Sequence, residues 1–312
     1  MAGDSVFHGV LVTFRRPVEL GKVLQRLGAQ TRRLDTLLVV DNAHDPRVEE
    51  IVKANVHVAK RVEYLAAPEN LGPAGALALG AGHLLHSADD SDWVMFFDDD
   101  NPPRTAEGIS EIADFAEEVL RQDTRTGGVG LVGARFNIRS GLLVRISDLD
   151  LSGPVIVSYV GGGQLPCYRV TTMRDIGLPN PQLFFGFDDL DYGLRLSAAG
   201  WHLYIDGDML AREREIHGLI GADKSPNRTI KCVRWRDYYS TRNVLWILLS
   251  RHHHIAATRV IARRIVAKTV YNLPRRPRLA RAYFTLGVRA AFDAYAGRLG
   301  RTIDPLTWET TT

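Results

Sequence analysis

The sequence holds only two cysteines, Cys167 and Cys232, in no repeated spacing and in no CxxC pair. That leaves out both a disulfide framework and a thiolate zinc site, and a reducing, cytoplasmic setting is the expectation. Long apolar runs are missing too. The longest in the C-terminal half, Val244 to Leu249, falls far short of the roughly 20 residues that span a bilayer, so no transmembrane helix is expected. The N-terminal MAGDSVFHGVLVTF carries an acid and no basic segment ahead of its short apolar run, which argues against a signal peptide. Nor does charge of one sign dominate: 39 Lys and Arg stand against 36 Asp and Glu, and a net charge of +3 names no partner. HExxH, GxSxG and GxxxxGK[ST] are all absent, which removes the required parts of zinc proteolysis, α/β-hydrolase and P-loop chemistry. No internal repeat is evident.

What remains is ample for a folded enzyme. The 312 residues are 45% apolar, enough for one large α/β domain with a helical appendage. Val6 to Thr13 reads as a buried strand, Val18 to Leu27 as a helix, and Thr36 to Val40 as a second strand ending at Asp41. A helix over Pro46 to Ala54, a strand over Val62 to Ala66, a small-residue helix over Asn70 to His86 and a strand over Trp93 to Phe97 follow. This alternation predicts a mostly parallel sheet with crossover helices. Ligands bind outside the carboxyl ends of such strands, where Thr13, Asp41 and Asp98 to Asp100 lie. A helix from Ala106 to Arg121 precedes glycine-punctuated strands over Val129 to Arg135, Leu142 to Ile146 and Val155 to Val160. Asp188 to Ala199 reads as a helix stopped by Gly200, and the chain is helical from Arg234 onward with a break around Asn272 to Pro277. The expected organisation is one domain over 1–245 and a basic amphipathic helical region over 246–312.

Two acidic motifs carry the chemistry. In WVMFFDDDNPP a buried strand runs into three consecutive aspartates, a concentration of charge that a cation or basic groups must compensate. In extended backbone Asp98 and Asp100 would face together and Asp99 away, so the pair could hold one divalent ion. A charged loop or a cap for the next helix accounts for the same pattern. The second motif is FFGFDDLDYGLRLSAAG, Phe184 to Gly200, with Asp188, Asp189 and Asp191 in the first turn of a helix. Carboxylates there cap free amides, but one or two suffice, and the preceding phenylalanines could raise the basicity of a catalytic carboxylate. His217 lies in a polar segment after a strand over Leu203 to Ile205, where a hydrogen-bonded surface histidine is the plainer account. His252 to His254 diverge around a helix and read as exposed. Gly161, Gly162 and Gly163 would let backbone approach a sugar closely, though a tight turn explains them equally well.

Between Arg251 and Arg301 the only acid is Asp293, while Ile255, Val260, Ile261, Ile265, Val266 and Val270 supply an apolar side. This basic amphipathic segment suits either a solvated face or an anionic membrane surface. Nucleic acid is not expected, on the ground that no aromatic interleaving accompanies the charge.

With these elements in order the sequence resembles the inverting glycosyltransferases of family 2, which have the GT-A fold, over roughly its first 245 residues. Within that family it is most similar to bacterial galactofuranosyl- and rhamnosyltransferases. The resemblance implies that Thr13, Arg15 and Asp41, in VTFRRP and VVDNAHD, contact the nucleotide, and that Asn70 and Gly75, in ENLGPAG, lie beside the diphosphate sugar. It further implies that Asp98 and Asp100 bind Mn²⁺ or Mg²⁺ with His217 completing the shell, that Asp99 contacts donor sugar or ribose, and that Asp189 is the general base. Phe187, Asp188, Gly162 and Gly163 are the corresponding acceptor contacts. The implied partners are a UDP- or dTDP-sugar and a lipid-linked or glycan acceptor, at the cytoplasmic face of the membrane. A nucleotidyltransferase would place a glycine-rich, lysine-bearing loop after the first strand, which VTFRRPVEL lacks. A non-catalytic, transferase-like binding module would have no need of intact acids at Asp98, Asp100 and Asp189.

Overall fold

The computed structural model describes residues 5–162, 165–221 and 232–305. Contacts gather the chain into two compact units. The first runs through residue 134, resumes over 146–181, and resumes again over 189–220. The second takes 135–145, 182–188 and the chain from 221 onward. These divisions follow packing rather than chain order, and a cut at 245 would fall inside a helix, Trp235–Ser250.

In the first unit, β1 (Phe7–Thr13), α1 (Pro17–Gly28), β2 (Thr36–Asp41), α2 (Pro46–Ala54), β3 (Arg61–Ala66), α3 (Gly72–Leu84), β4 (Trp93–Asp98) and α4 (Gly108–Gln122) realise the expected alternation. The causes are local. Leu20, Val23, Leu24 and Leu27 recur at helical spacing and are the buried stripe of α1, while Pro17 opens it where no amide hydrogen is needed. Asp45 caps α2 by accepting from the Arg47 amide. β5 (Thr126–Gly130), β6 (Gly133–Asn137), β7 (Leu142–Val144), β8 (Pro154–Val157), β9 (Tyr159–Val160), β10 (Cys167–Arg169), α5 (Val170–Ile176), α6 (Asp188–Ala198), β11 (His202–Asp206) and α7 (Gly207–Ile216) follow.

Eight of the strands form one sheet in the order β3-β2-β1-β4-β10-β5-β11-β8. β10 and β8 run antiparallel to their neighbours, and the remaining pairs are parallel. Two expected strands are each divided. Val129 to Arg135 splits because β5 pairs with β10 and β11, whereas Gly133 and Ala134 of β6 pair with β9. Val155 to Val160 splits at Ser158, where the chain leaves β11 for β6. Glycine at position 193 of α6 is a packing requirement, since a Cβ there would run into the Ser158 carbonyl oxygen.

The second unit holds β7 and most of β6, and its C-terminal part is helical. It contains α8 (Trp235–Ser250), α9 (His254–Ile261), a π-helical segment (Ala262–Ala267), α10 (Lys268–Asn272) and α11 (Pro277–Tyr295), so the break expected around Asn272 to Pro277 separates α10 from α11. Phe184, Tyr238, Tyr239, Leu279, Tyr283, Leu286 and Ala290 are among its core residues. Arg242 is wholly buried and donates to the carbonyls of Leu183 at 3.0 Å and Gly300 at 2.8 Å. Its guanidinium also lies 4.8 Å from the centre of the Tyr239 ring.

Candidate active site

At the carboxyl end of β1 the buried Thr13 hydroxyl donates to Asp99 at 2.9 Å, and the Phe14 amide donates to the same carboxylate at 3.0 Å. Arg16 donates to Asp99 at 3.1 Å and pairs with Asp100 as well. The expected facing therefore differs: Asp99 and Asp100 meet on one guanidinium. Strand alternation ends with Asp98, and the next two residues belong to a turn that strand geometry does not govern. The Asp98 carboxylate is left without a hydrogen-bond or ion-pair partner among the described residues. Burial, reinforced by the charges of Asp100 and Asp99, pushes its carboxyl up to about 6.

Asp41 spends both carboxylate oxygens on its own turn. It accepts from the amides of Ala43 at 2.9 Å and Asp45 at 2.8 Å, and from the Tyr64 hydroxyl at 3.1 Å. Next to it Asn42 receives the Leu71 amide at 2.8 Å and donates to Asn70 at 3.3 Å, so the β2 and α3 ends are stitched together. Asn70 also accepts from the Gly72 amide at 3.0 Å. Gly75 is buried in α3, where a Cβ would lie 2.7 Å from the Leu71 side chain. Arg15 is exposed, has φ +56°, and sits beside the Phe14 ring.

Asp189 stands in the first turn of α6, half-buried. Burial raises its carboxyl above the ordinary range, against the opposing pull of backbone amides. Those amides are Leu190 at 2.7 Å and, at a longer 3.4 Å, Gly162. Among the described residues, chain neighbours aside, no atom lies within 4 Å of where a Cβ on Gly162 would stand, and Gly163 falls outside the described residues. Asp191 is a different kind of acid: it is buried and bound to Arg195 at 3.1 Å, which also closes the carbonyls of Ile176 and Leu178. It is committed to holding α6. In the second unit Phe184, Gly186 and Phe187 all have positive φ, and Asn243 donates to the carbonyls of Leu183, Phe185 and Gly186 at 2.9, 3.0 and 2.7 Å. The Arg264 guanidinium lies 5.4 Å from the Phe187 ring centre. Asp188 opens α6.

The polar segment that carries His217 is a helix, α7, which the charged stretch GDMLAREREI conceals, and His217 caps its C-terminal end. Its Nε2 accepts from Arg104 at 2.7 Å, with Glu213 3.7 Å away. Among the described residues no three His, Cys, Asp or Glu side chains gather as a metal cage. The unpartnered Asp98 carboxylate and the neighbouring Asp100 nonetheless fit a hard divalent cation, being oxygen donors with more negative charge than Arg16 neutralises. Arg16, Asn42 and Tyr64 were not singled out from the sequence, although the two adjacent arginines in VTFRRP were the available signal for the first.

The family model described as glycosyl transferase family 2 matches residues 10–121. The chain is 35% identical over 209 residues to galactofuranosyltransferase GlfT1 of Mycobacterium tuberculosis (strain ATCC 25618 / H37Rv), a match covering 63% of this chain and 66% of that relative. It thus spans just under two thirds of that protein's length. With GlfT1 of Mycolicibacterium smegmatis it shares 30% identity over 213 residues, 64% of this chain and 68% of the relative. Among solved structures, mannosyltransferase PcManGT from Pyrobaculum calidifontis, in complex with GDP-Man and Mn²⁺, matches with a TM-score of 0.54 at 13% identity, covering 95% and 89% of the two chains. GalNAc-T7 with UDP, GalNAc and Mn²⁺ matches with a TM-score of 0.54 at 11% identity, covering 89% and 59%. The structural likenesses speak to the fold and the sequence likenesses to the family: this chain belongs to glycosyltransferase family 2 and has the GT-A fold.

Proposed function

We propose that the enzyme is metal-dependent and inverting, and moves a galactofuranose- or rhamnose-type sugar from a UDP- or dTDP-linked donor to a hydroxyl of a lipid-linked or glycan acceptor in cell-envelope polysaccharide or glycolipid synthesis. The observation that carries this reading is the unpartnered, partly buried Asp98 carboxylate beside Asp99 and Asp100 at the end of β4, in a chain that resembles mycobacterial galactofuranosyltransferases. Asp98 and Asp100 would hold the Mn²⁺ or Mg²⁺; His217 could join them only by releasing Arg104. Bound, such an ion screens the diphosphate and stabilises it as it leaves.

The remaining work falls to the chain itself. Thr13 and Arg16 fix Asp99 where it can accept from a donor hydroxyl, and Asp41, Asn42 and Asn70 set the turns that frame the nucleotide. Asp189, raised by burial, takes the proton of the acceptor hydroxyl. The acceptor oxygen then bonds to the anomeric carbon from the face opposite the leaving diphosphate, and configuration inverts. Phe187, Asp188, Gly162 and Gly163 are the proposed acceptor contacts. The discriminating experiment screens a panel of nucleotide sugars for binding and hydrolysis, with Mn²⁺ and with a chelator. Metal-dependent response to a UDP- or dTDP-sugar is expected. Cleavage of a nucleoside triphosphate with pyrophosphate release, and no response to any sugar nucleotide, would overturn the reading.

His217 is open to a separate check. His217→Ala should raise the Mn²⁺ concentration needed for half-maximal activity without lowering the melting temperature, because a half-exposed side chain is removed. An unchanged metal titration would return His217 to a surface partner of Arg104.

A further inference from the structure

We propose that the outward face of α11, together with the exposed residues of the helices just before it, docks on a bilayer containing anionic lipid. α11 turns Leu279, Tyr283, Leu286 and Ala290 into the core of the second unit. It leaves Phe284, Val288, Phe292 and Tyr295 exposed, Phe284 at 52% and Phe292 at 57%. Spacings of four, four and three residues put these side chains on one stripe of the helix. Arg278 and Arg281 flank the stripe at one end and Arg298 at the other, all exposed. Val266, Val270, Tyr271 and Leu273, on the segments preceding α11, are exposed as well.

Charge identifies the occupant. The only acid between Arg251 and Arg301, Asp293, is buried and accepts the Tyr238 hydroxyl at 2.6 Å, so this stretch presents no acidic side chain at its surface. Rings and aliphatic groups that enter the headgroup boundary, with arginines reaching lipid phosphates beside them, are the composition of an interfacial helix. Exposed aromatics do interleave the charge, contrary to the sequence expectation. Two of them are already covered on one face by arginine, Arg298 over Phe292 at 5.1 Å and Arg275 over Tyr271 at 4.8 Å, which disfavours them as stacking platforms for bases. The face lies wholly in the second unit, and the proposal depends on neither the donor nor the transfer reaction.

The test is flotation of the full chain with phosphatidylcholine vesicles, with and without phosphatidylglycerol, at low and high salt. Binding is expected only with phosphatidylglycerol, and weaker at high salt. Each arginine near an anionic surface contributes about fivefold in partition, so Arg278→Gln with Arg281→Gln should weaken binding roughly 25-fold. Phe284→Ser with Phe292→Ser, both at exposed sites, should weaken it further while leaving the far-ultraviolet dichroism and melting temperature unchanged. Equal recovery with neutral and anionic vesicles would overturn the proposal, as would insensitivity to both double variants. So would a concentration-dependent dimer that Phe284→Ser abolishes in a chain that ignores vesicles, for then a second copy covers the face. Binding of single-stranded nucleic acid that anionic vesicles fail to displace would reassign the face to that ligand.

Discussion

Asp189 and Asp191 lie two residues apart on one helix, and their surroundings separate their tasks. Asp191 is neutralised by Arg195, while the hydrogen bonds that the Asp189 carboxylate accepts from Leu190 and Gly162 come from backbone amides. Asp189→Asn keeps size and capping ability but removes the base, so turnover should fall about 10²- to 10⁴-fold while nucleotide-sugar affinity stays near that of the parent. Near-normal transfer by the folded variant would refute the assignment. Asp98 makes a prediction of opposite sign for stability. Its folded-state pKa of about 6 lies above the ordinary 3.8, so the fold favours the protonated form. The associated stability is complete below about pH 4 and is lost as pH rises through about 6, a cost of at most about 3 kcal/mol for a partly exposed group. Asp98→Asn should therefore stabilise the metal-free protein at neutral pH while weakening Mn²⁺ binding. Denaturant midpoints measured with a chelator across that pH range would show it, and superimposable curves for the two proteins would count against it. The acids themselves were legible in the sequence because a triple aspartate after an apolar strand has few uses. Arg16, Asn42 and Tyr64 were not, since Arg16 meets its partners more than eighty residues away and no local pattern announces such a pairing.

Elements with a single periodicity were read nearly to their ends. β1 through α4 follow from unbroken apolar strands, from helical stripes and from proline at helix starts. The failures share a cause: partners rather than propensity decided them. α5 begins with Val-Thr-Thr, a β-branched run that propensity assigns to strand, and α7 is crowded with charge. The divided strands change neighbour in mid-course, which alternation alone cannot show. The bend before α6 was also hidden. It contains three residues at positive φ, two of them phenylalanines, and is held by Asn243 through three carbonyls. Asn243→Ala removes all three bonds and takes that donor from the part-buried Phe185 and Gly186 carbonyls, while Leu183 keeps Arg242, so a loss of about 1–3 kcal/mol in unfolding free energy is expected. A loss below about 0.5 kcal/mol by chemical denaturation would mean that the bend holds itself.

At the level of the whole molecule, the fold class was evident from the βαβ alternation, whereas the division into units was not, because it depends on contacts between segments far apart in the chain. Ending the chain after residue 245 would remove Leu279, Tyr283, Leu286 and Ala290 from the second unit's core and expose Tyr238 and Tyr239. Such a chain should melt well below the parent and bind a hydrophobic dye, and an unaltered melting profile would contradict the observed packing. The same interleaving imposes an order on synthesis. A ribosome delivers residues 182–188 before Arg242 and Asn243 exist to hold them, and Arg242 in turn waits for Gly300 and Thr302. The eight-stranded sheet can close as soon as β11 has emerged, since all its strands lie before residue 207. The carbonyls of Leu183, Phe185 and Gly186 therefore receive their side-chain donors from a part of the chain made more than fifty residues later, and a nascent chain holds its acidic motifs well before those bonds can form.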